Sequence, residues 1–308
     1  MTKPRRSILS VPGHVAKMHA GAASSNADVV MLDLEDSVTD DTKNAARGEV
    51  IEALLKLDWS KTTVTVRINA MDTPWGWRDL TEVVTSAGHI VDAIVVPKVN
   101  HEGDIHCIDR LLTGIELSTG RPAEAGHIGI EVLIETASGL ERAAAITAAS
   151  PRVRCLHFGL ADYSASVGAP LVSVSGHGDR DAKLYPGHRW HFAVSKMIMH
   201  AKAAGCLAID APYGDIKNAE GLRHAALMAH ALGCDGKWAV HPSQITVINE
   251  VFTPSKDEIG LASKVLKAAD EAARHGLGAV AVDGRMVDQA TVHLARQTVA
   301  HAKQLGLV

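Results

Sequence analysis

The stretch DVVMLDLEDSV, residues 28–38, carries a β-branched apolar run into three carboxylates, Asp33, Glu35 and Asp36, within four positions. A buried charge without a partner is costly, so a strand ending this way is built around something positive. The run is continuous rather than alternating, the pattern of a parallel strand covered on both faces.

Seven further runs share the pattern: RSILSV (6–11), TTVTVRIN (62–69), DAIVVPKV (92–99), HIGIEVLIE (127–135), VRCLHFGLAD (153–162), CLAIDAPY (206–213) and KWAVHP (237–242). Longer Ala-rich amphipathic stretches separate them and read as helices at 14–25, 41–57, 103–118, 138–149, 188–204 and 218–232. Eight strand–helix units predict an α/β fold, a (β/α)8 TIM barrel, over residues 1–252. A doubly wound open sheet would need a G-x-G-x-x-G turn after its first strand, and the sequence there is VPGH. Residues 253–308 exceed what a barrel requires. Helix-like 255–275, the Gly-rich HGLGAVAVDGRMVD (275–288) and a final helix at 289–305 predict a C-terminal extension, a lid or a subunit contact.

The 308 residues are 46% hydrophobic with a net charge of -4, an ordinary globular balance. Lys and Arg are scattered apart from Lys3, Arg5 and Arg6, and aromatics are only 4%, so no nucleic-acid face is expected. No stretch approaches ~18 uninterrupted apolar residues, and the start lacks a signal-peptide run, so neither membrane nor export is expected. Cys107, Cys155, Cys206 and Cys234 stand singly and far apart, which fits a reducing cytoplasm rather than a disulfide framework.

The strands end in polar residues: Glu35 and Asp36, Arg67 and Asn69, Lys98, Glu135, Asp162, Asp210, and His241. In a barrel these ends share one mouth, where active sites of this fold lie. Any one of them alone reads equally as a helix cap or a local ion pair; the recurrence on seven strands favours a site. Four or five carboxylates against one Arg and one Lys leave the mouth negative, and like charges so close need a cation. An all-oxygen donor set suits Mg²⁺, with Mn²⁺ as a substitute, better than Zn²⁺. His188 and His191, in GHRWH, read as helix surface rather than as a metal pair. After SVPG, His14, Lys17 and a helix start offer donors to a phosphate, although Lys17 reads equally as a solvated surface charge.

The segments RSILSVPG, VVMLDLEDSV, VRIN, VVPKV, LIETASGL, FGLADYSASVG, YPGHRWH, GKWAVHPSQI and GRMVD, in that order, resemble the citrate lyase β-subunit-like (HpcH/HpaI aldolase) superfamily. Within it, YPGHRWH and GKWAVHPSQI are most similar to the L-malyl-CoA/β-methylmalyl-CoA lyase branch. The resemblance implies a TIM barrel, Mg²⁺, a CoA-thioester substrate and reversible retro-Claisen cleavage to glyoxylate plus acetyl-CoA or propionyl-CoA. It implies that Glu135 and Asp162 ligate the metal and that Arg67 binds the substrate's carbonyl and carboxylate oxygens. Asp288 would be the general acid/base, on a lid donated by a neighbouring subunit of a trimer or hexamer.

From the residues alone, Asp288 reads as the N-cap of the final helix. With Glu135 and Asp162 implied by the resemblance as the ligands, Glu35 and Asp36 fall behind the metal, accepting hydrogen bonds from its waters or from Arg67, while Asp33 pairs inside the barrel. Ala161, Val240 and His241 line the cleft by resemblance; His241 reads equally as a packed histidine. Relatives carry an arginine near the first loop where this chain has only Arg5 and Arg6, before the strand, which leaves the phosphate contacts open. Citramalyl-CoA and citryl-CoA lyases share the chemistry and differ in the acceptor carbonyl, to be sorted by residues 71–77 and 163–169. A PEP-mutase-like barrel lacks support because no K-K-C-G-H motif is present. A barrel without chemistry is disfavoured by the joint presence of Arg67, Glu135, Asp162 and Asp288.

Overall fold

Eight short strands close on one another in chain order, each parallel to its neighbours. The computed structural model describes residues 3–121, 128–170, 189–275 and 280–308. They divide into two compact units, Arg5–Asn249 and a second formed by Glu250–Val308 with the N-terminal segment to Pro4.

The first unit is a (β/α)8 barrel. Its strands are β1 (Ser7–Pro12), β2 (Val29–Asp33), β3 (Thr63–Arg67), β4 (Ala93–Val96), β5 (Gly129–Ile134), β6 (Val153–Phe158), β7 (Leu207–Asp210) and β8 (Gly236–Ala239). Closure comes from β1 against β8, with Ile8 opposite Trp238. Helices follow the strands: α1 (Ala16–Ala23), α2 (Lys43–Lys56), α3 (Gly76–Ala87) and α4 (Glu102–Ser118), then α5 (Ala137–Glu141) with α6 (Ala143–Ala148). After these come α7 (Leu160–Ser166), α8 (His191–Ala203), α9 (Ala219–Leu232) and α10 (Ile245–Val251), whose last two residues are counted in the second unit. Every residue of β2, β3, β4 and β5 is buried, which is why those runs are continuously apolar. Ile8, Val29, Met31, Val95, Leu133, Cys155, Ile209 and Trp238 fill the barrel interior.

Two local features re-aim side chains. The β5–β6 register shifts between Ile130 and Glu131, leaving Arg154 as an extra, exposed residue. Beyond that bulge Cys155 pairs with Glu131, so Cys155 and His157 point inward beside it. At the other rim, a Cβ on Gly13 would lie 2.6 Å from the Asp33 carbonyl, which already accepts the Gly13 N–H at 2.7 Å. Only glycine lets the first loop cross the end of β2 so closely.

The second unit packs α11 (Lys256–Arg274) and α12 (Gln289–Gln304) with a hairpin of β9 (Val280–Val282) and β10 (Arg285–Val287). Ala262, Val265, Val287, Val292 and Ala295 form its core. The Gly-rich patch therefore contains a hairpin that the sequence reading left unassigned. Its turn is Asp283-Gly284, both at positive φ (49° and 76°), the geometry an Asp-Gly pair favours between two strands.

Helix α3 is also absent from the sequence reading. Leu80, Val83, Val84 and Ala87 carry its period, but it starts at Trp75-Gly76 with no capping side chain. Among the described residues, no helix is long and apolar enough to cross a membrane.

Candidate active site

Asp33 closes β2 facing into the barrel, and the strand register sets it opposite Arg67, the last residue of β3. Arg67 donates from Nε to Oδ1 at 2.6 Å and from Nη2 to Oδ2 at 2.7 Å. Both residues are buried. Burial alone would raise the Asp33 carboxyl, but the Arg67 charge and hydrogen bonds from Arg67, Ser37 and the Glu35 backbone outweigh it and hold it below its ordinary value. Asp33 thus supplies the pairing inside the barrel expected from the sequence, and it is the principal partner of the site arginine.

The loop beyond β2 folds back over this pair. The Glu35 N–H donates to Asp33 Oδ1 at 2.9 Å, while Lys43 donates to the backbone carbonyls of Leu34 and Glu35 at 3.2 and 2.9 Å. Asn69, a strand-end residue, holds the same loop by donating to the Leu34 carbonyl at 2.9 Å. So anchored, Glu35 Oε2 lies 2.8 Å from Arg67 Nη1, and half-exposed Asp36 reaches the same nitrogen at 3.3 Å. Lys98 pairs with Glu35 and lies 3.3 Å from Asp36. Two cations therefore face three carboxylates. Burial, with Asp36 adding to it and Arg67 opposing, pushes the Glu35 carboxyl up to about 7.

Lys98 serves twice. Its backbone is left-handed (φ 53°), a strained state for a lysine, and it turns the N–H onto Glu135 Oε1 at 2.6 Å. Glu135, one residue past β5, is buried. Its side chain occupies the space over Gly159, where a Cβ would sit 2.3 Å from Glu135 Cβ and 2.5 Å from Oε2. Burial first, then the charges of Glu35 and Asp162, push the Glu135 carboxyl up to about 8. Asp162 is half-buried in the first turn of α7.

The barrel thus brings Arg67, Glu35, Asp36, Glu135 and Asp162 to one mouth, with Asp33 and Lys98 between them. Asp162 corrects the strand reading of 153–162: β6 stops at Phe158, and the residue is presented by a helix. Asp210 is a second correction. Ile209 points into the barrel, so its neighbour points out, where Asp210 meets buried Lys237 at 2.5 Å.

Of the other expected residues, His14 and Lys17 are exposed, one in the loop after β1 and one in the first turn of α1. Ala161 is exposed beside Asp162. Val240 follows β8, its N–H held by Gln244 Oε1 at 2.8 Å. His241 is not a packed histidine: its ring caps the short helix Pro242–Gln244, accepting from the Ser243 N–H at 3.2 Å. His191 starts α8 exposed, and His188 lies outside the described residues. Asp288 belongs to the second unit, where it caps α12 by accepting from the Thr291 N–H and hydroxyl, both at 2.9 Å. Those bonds hold its exposed carboxyl below the ordinary value.

The sequence reading passed over Glu131, His157 and Trp238, which form a buried polar chain inside the barrel. A Glu and a His in mid-strand of otherwise apolar runs are the signal that could have found them, since buried polar groups require partners.

Residues 6–242 match the HpcH/HpaI aldolase/citrate lyase family. The chain is 38% identical to the L-malyl-CoA/β-methylmalyl-CoA lyase of Cereibacter sphaeroides, over 99% of this chain and 96% of that protein. It is 33% identical to the malyl-CoA/β-methylmalyl-CoA/citramalyl-CoA lyase of Chloroflexus aurantiacus, over 99% and 89% of the two chains. Among solved structures, it superposes on the CitE protein of Mycobacterium tuberculosis, in complex with magnesium, acetoacetate and coenzyme A. That match has a TM-score of 0.75 and 30% identity, covering 97% of this chain and 98% of the other. With its closed barrel and acid-rich mouth, the chain belongs to the HpcH/HpaI aldolase/citrate lyase family and is a carbon–carbon lyase.

Proposed function

We propose that the protein cleaves malyl-CoA or β-methylmalyl-CoA to glyoxylate and acetyl-CoA or propionyl-CoA, with Mg²⁺ held by Glu135 and Asp162. The observation that carries the metal is Glu135 itself. Its buried carboxyl is pushed up to about 8, and among the described residues it accepts a hydrogen bond from the Lys98 backbone N–H and pairs with no Lys or Arg side chain. A hard divalent cation held by Glu135 and Asp162 would remove that conflict, and the all-oxygen donor set fits Mg²⁺, with Mn²⁺ as a substitute. When bound, the cation supplies Lewis-acid polarisation of the substrate's hydroxyl and carboxylate oxygens.

The chain's own residues do the rest. Asp33 fixes the Arg67 guanidinium, whose end-on N–H pair donates to the carbonyl and carboxylate oxygens of the 2-oxo acid half. Cleavage moves the hydroxyl proton to a base and the C–C bonding electrons onto the thioester carbonyl. The enolate carbon then takes a proton, and the aldehyde leaves. Asp288 performs both transfers, as the carboxylate that takes the first proton and the acid that delivers the second. It acts from a lid, residues 253–308, donated by a neighbouring subunit of a trimer or hexamer. Closure over the barrel of residues 1–252 excludes water while the enolate exists.

Glu35 and Asp36 hold Lys98 and Arg67 in place and would accept hydrogen bonds from water when the metal is bound. The CoA phosphates meet His14, Lys17 and the start of α1, with Ala161, Val240 and His241 along the cleft. The composition favours a cytoplasmic enzyme. The names of these two relatives support malyl-CoA, and the Chloroflexus name keeps citramalyl-CoA as the second substrate to test.

The test follows glyoxylate release from malyl-CoA and β-methylmalyl-CoA, and pyruvate release from citramalyl-CoA, each with and without EDTA. Glyoxylate release that stops on chelation is expected. Indifference to EDTA, or inertness toward all three, overturns the reading.

A further inference from the structure

Beneath Arg67 lies a chain of buried polar groups that barrel closure does not require. Trp238, on β8, donates its indole N–H to His157 Nδ1 at 2.7 Å. His157, on β6, meets Glu131 Oε2 with Nε2 at 2.9 Å, and Glu131 also pairs with Arg5. An indole nitrogen only donates, so Nδ1 is the acceptor and the ring proton sits on Nε2, facing the carboxylate. Burial would raise Glu131, but the Arg5 charge and the His157 hydrogen bond outweigh it and hold that carboxyl down to about 2. Glu131, Cys155 and His157 are metal-ligand types whose ligating atoms lie within 4.8 Å of one another. Both His157 nitrogens and the Glu131 carboxylate are already engaged, so the cluster is a support rather than a metal site.

The upper end of the chain meets the site. The Arg67 guanidinium carbon lies 5.5 Å from the centre of the Trp238 ring, within the range of a cation–π contact. The His157 and Trp238 rings meet edge to face, centres 5.6 Å apart at 70°, which fixes the tilt of the indole. Asp33 grips the guanidinium edge and sets its rotation in its own plane. A ring face sets the height of that plane, which an edge contact leaves free.

We infer that Trp238 is a positioning residue: its ring seats Arg67 at the height needed to meet the oxygens of the 2-oxo acid, and His157, backed by Glu131 and Arg5, fixes the ring. The catalytic half of this inference rests on the proposed lyase reading; the seating of Arg67 does not. No CoA contact is assigned to Trp238, so its loss acts on one substrate of the condensation direction and spares the other.

The experiment compares Trp238→Leu, Trp238→Phe and His157→Gln with wild type in two measurements. The first needs no activity: ¹⁵N-arginine NMR of the Arg67 Nε–H, assigned by its loss in Arg67→Lys. Trp238→Leu should move that signal by removing the ring current, and an unmoved signal overturns the seat. The second measures condensation kinetics. Trp238→Leu should raise the KM for glyoxylate about tenfold while the KM for acetyl-CoA stays within about twofold. Trp238→Phe, which keeps a face but loses the N–H, should fall between. His157→Gln, whose amide can both accept from the indole and donate to Glu131, should stay near wild type.

An equal rise in both KM values means a general structural defect and overturns the positioning role. If Trp238→Leu does not fold, Trp238→Phe decides on the same two readouts, and glyoxylate KM and signal both unchanged overturn the proposal. Inactivity of the wild type would fail the lyase reading alone, because the NMR measurement still reports the seat.

Discussion

Asp33 takes the side-on edge of Arg67, with Nε and Nη2 at 2.6 and 2.7 Å from its two oxygens. The end-on edge, Nη1 with the second Nη2 hydrogen, faces the mouth where Glu35 and Asp36 reach Nη1. One arginine is thereby divided between a structural carboxylate below and exchangeable partners above.

Asp33→Asn should separate those halves. The amide presents an N–H to a guanidinium that needs two acceptors, leaving a buried charge half-paired. We expect a loss of about 3 kcal/mol of stability in a denaturant melt and a fall in kcat/KM of about 100-fold. A variant as stable as wild type would show that Glu35 and Asp36 suffice to hold Arg67.

Glu135→Gln should behave in the opposite sense. The amide oxygen can still accept the Lys98 N–H, while an uncompensated buried charge disappears. The metal-free variant is expected to melt no lower than wild type at about pH 8 and to lose the Mg²⁺-induced rise in Tm, along with nearly all turnover. A retained Mg²⁺ response would remove Glu135 from the metal site.

The metal response should itself depend on pH. Glu135 is pushed up to about 8 in the folded chain from an ordinary 4.5, so the fold binds the proton more tightly than the unfolded chain does. Metal-free stability therefore falls as pH rises from 4.5 toward 8, and the Glu35 carboxyl, at about 7, adds in the same direction. A cation competes with that proton. The Tm gain at fixed Mg²⁺ should grow between about pH 6 and about pH 8, and EDTA should abolish it. A gain that is flat with pH would contradict this linkage.

Glu131 has the reverse sign. Held down to about 2 from an ordinary 4.5, it contributes stability that is complete above 4.5 and is lost as pH falls toward 2. The loss amounts to about 3 kcal/mol across that window. Glu131→Gln should lower stability at neutral pH and flatten this acid limb of the unfolding curve, read by circular dichroism.

Two substitutions separate the roles of Asp288. Asparagine caps a helix about as well as aspartate, whereas alanine does not. Asp288→Asn should keep the melting behaviour of α12 and lose most turnover, while Asp288→Ala should lose both. Full activity in the asparagine variant would leave Asp288 with the cap alone.

All eight strands were legible because parallel strands buried on both faces need unbroken apolar runs, and the acids punctuating their ends mark the rim. Glu35, Asp36, Arg67 and Glu135 could be read as rim residues on that ground. The hairpin at Val280–Val287 hid behind glycine content although its Asp-Gly turn was in view. Asp162 was misplaced onto a strand because FGLAD is apolar up to the acid, and nothing local shows that β6 ends at Phe158.

Local patterning was enough for the order of strands and helices, the barrel, and the chemistry available at its mouth. The partners were settled by folding. Asp33 meets Arg67 across 34 positions of chain, and Trp238 meets His157 across 81. Asp210 turns outward to Lys237 because strand parity, set by what its neighbours bury, gives it no other face. Short-range periodicity follows from backbone geometry and is written locally. Pairing depends on register, a β-bulge at Ile130/Glu131 and the closing of β8 on β1, which exist only once the sheet has formed.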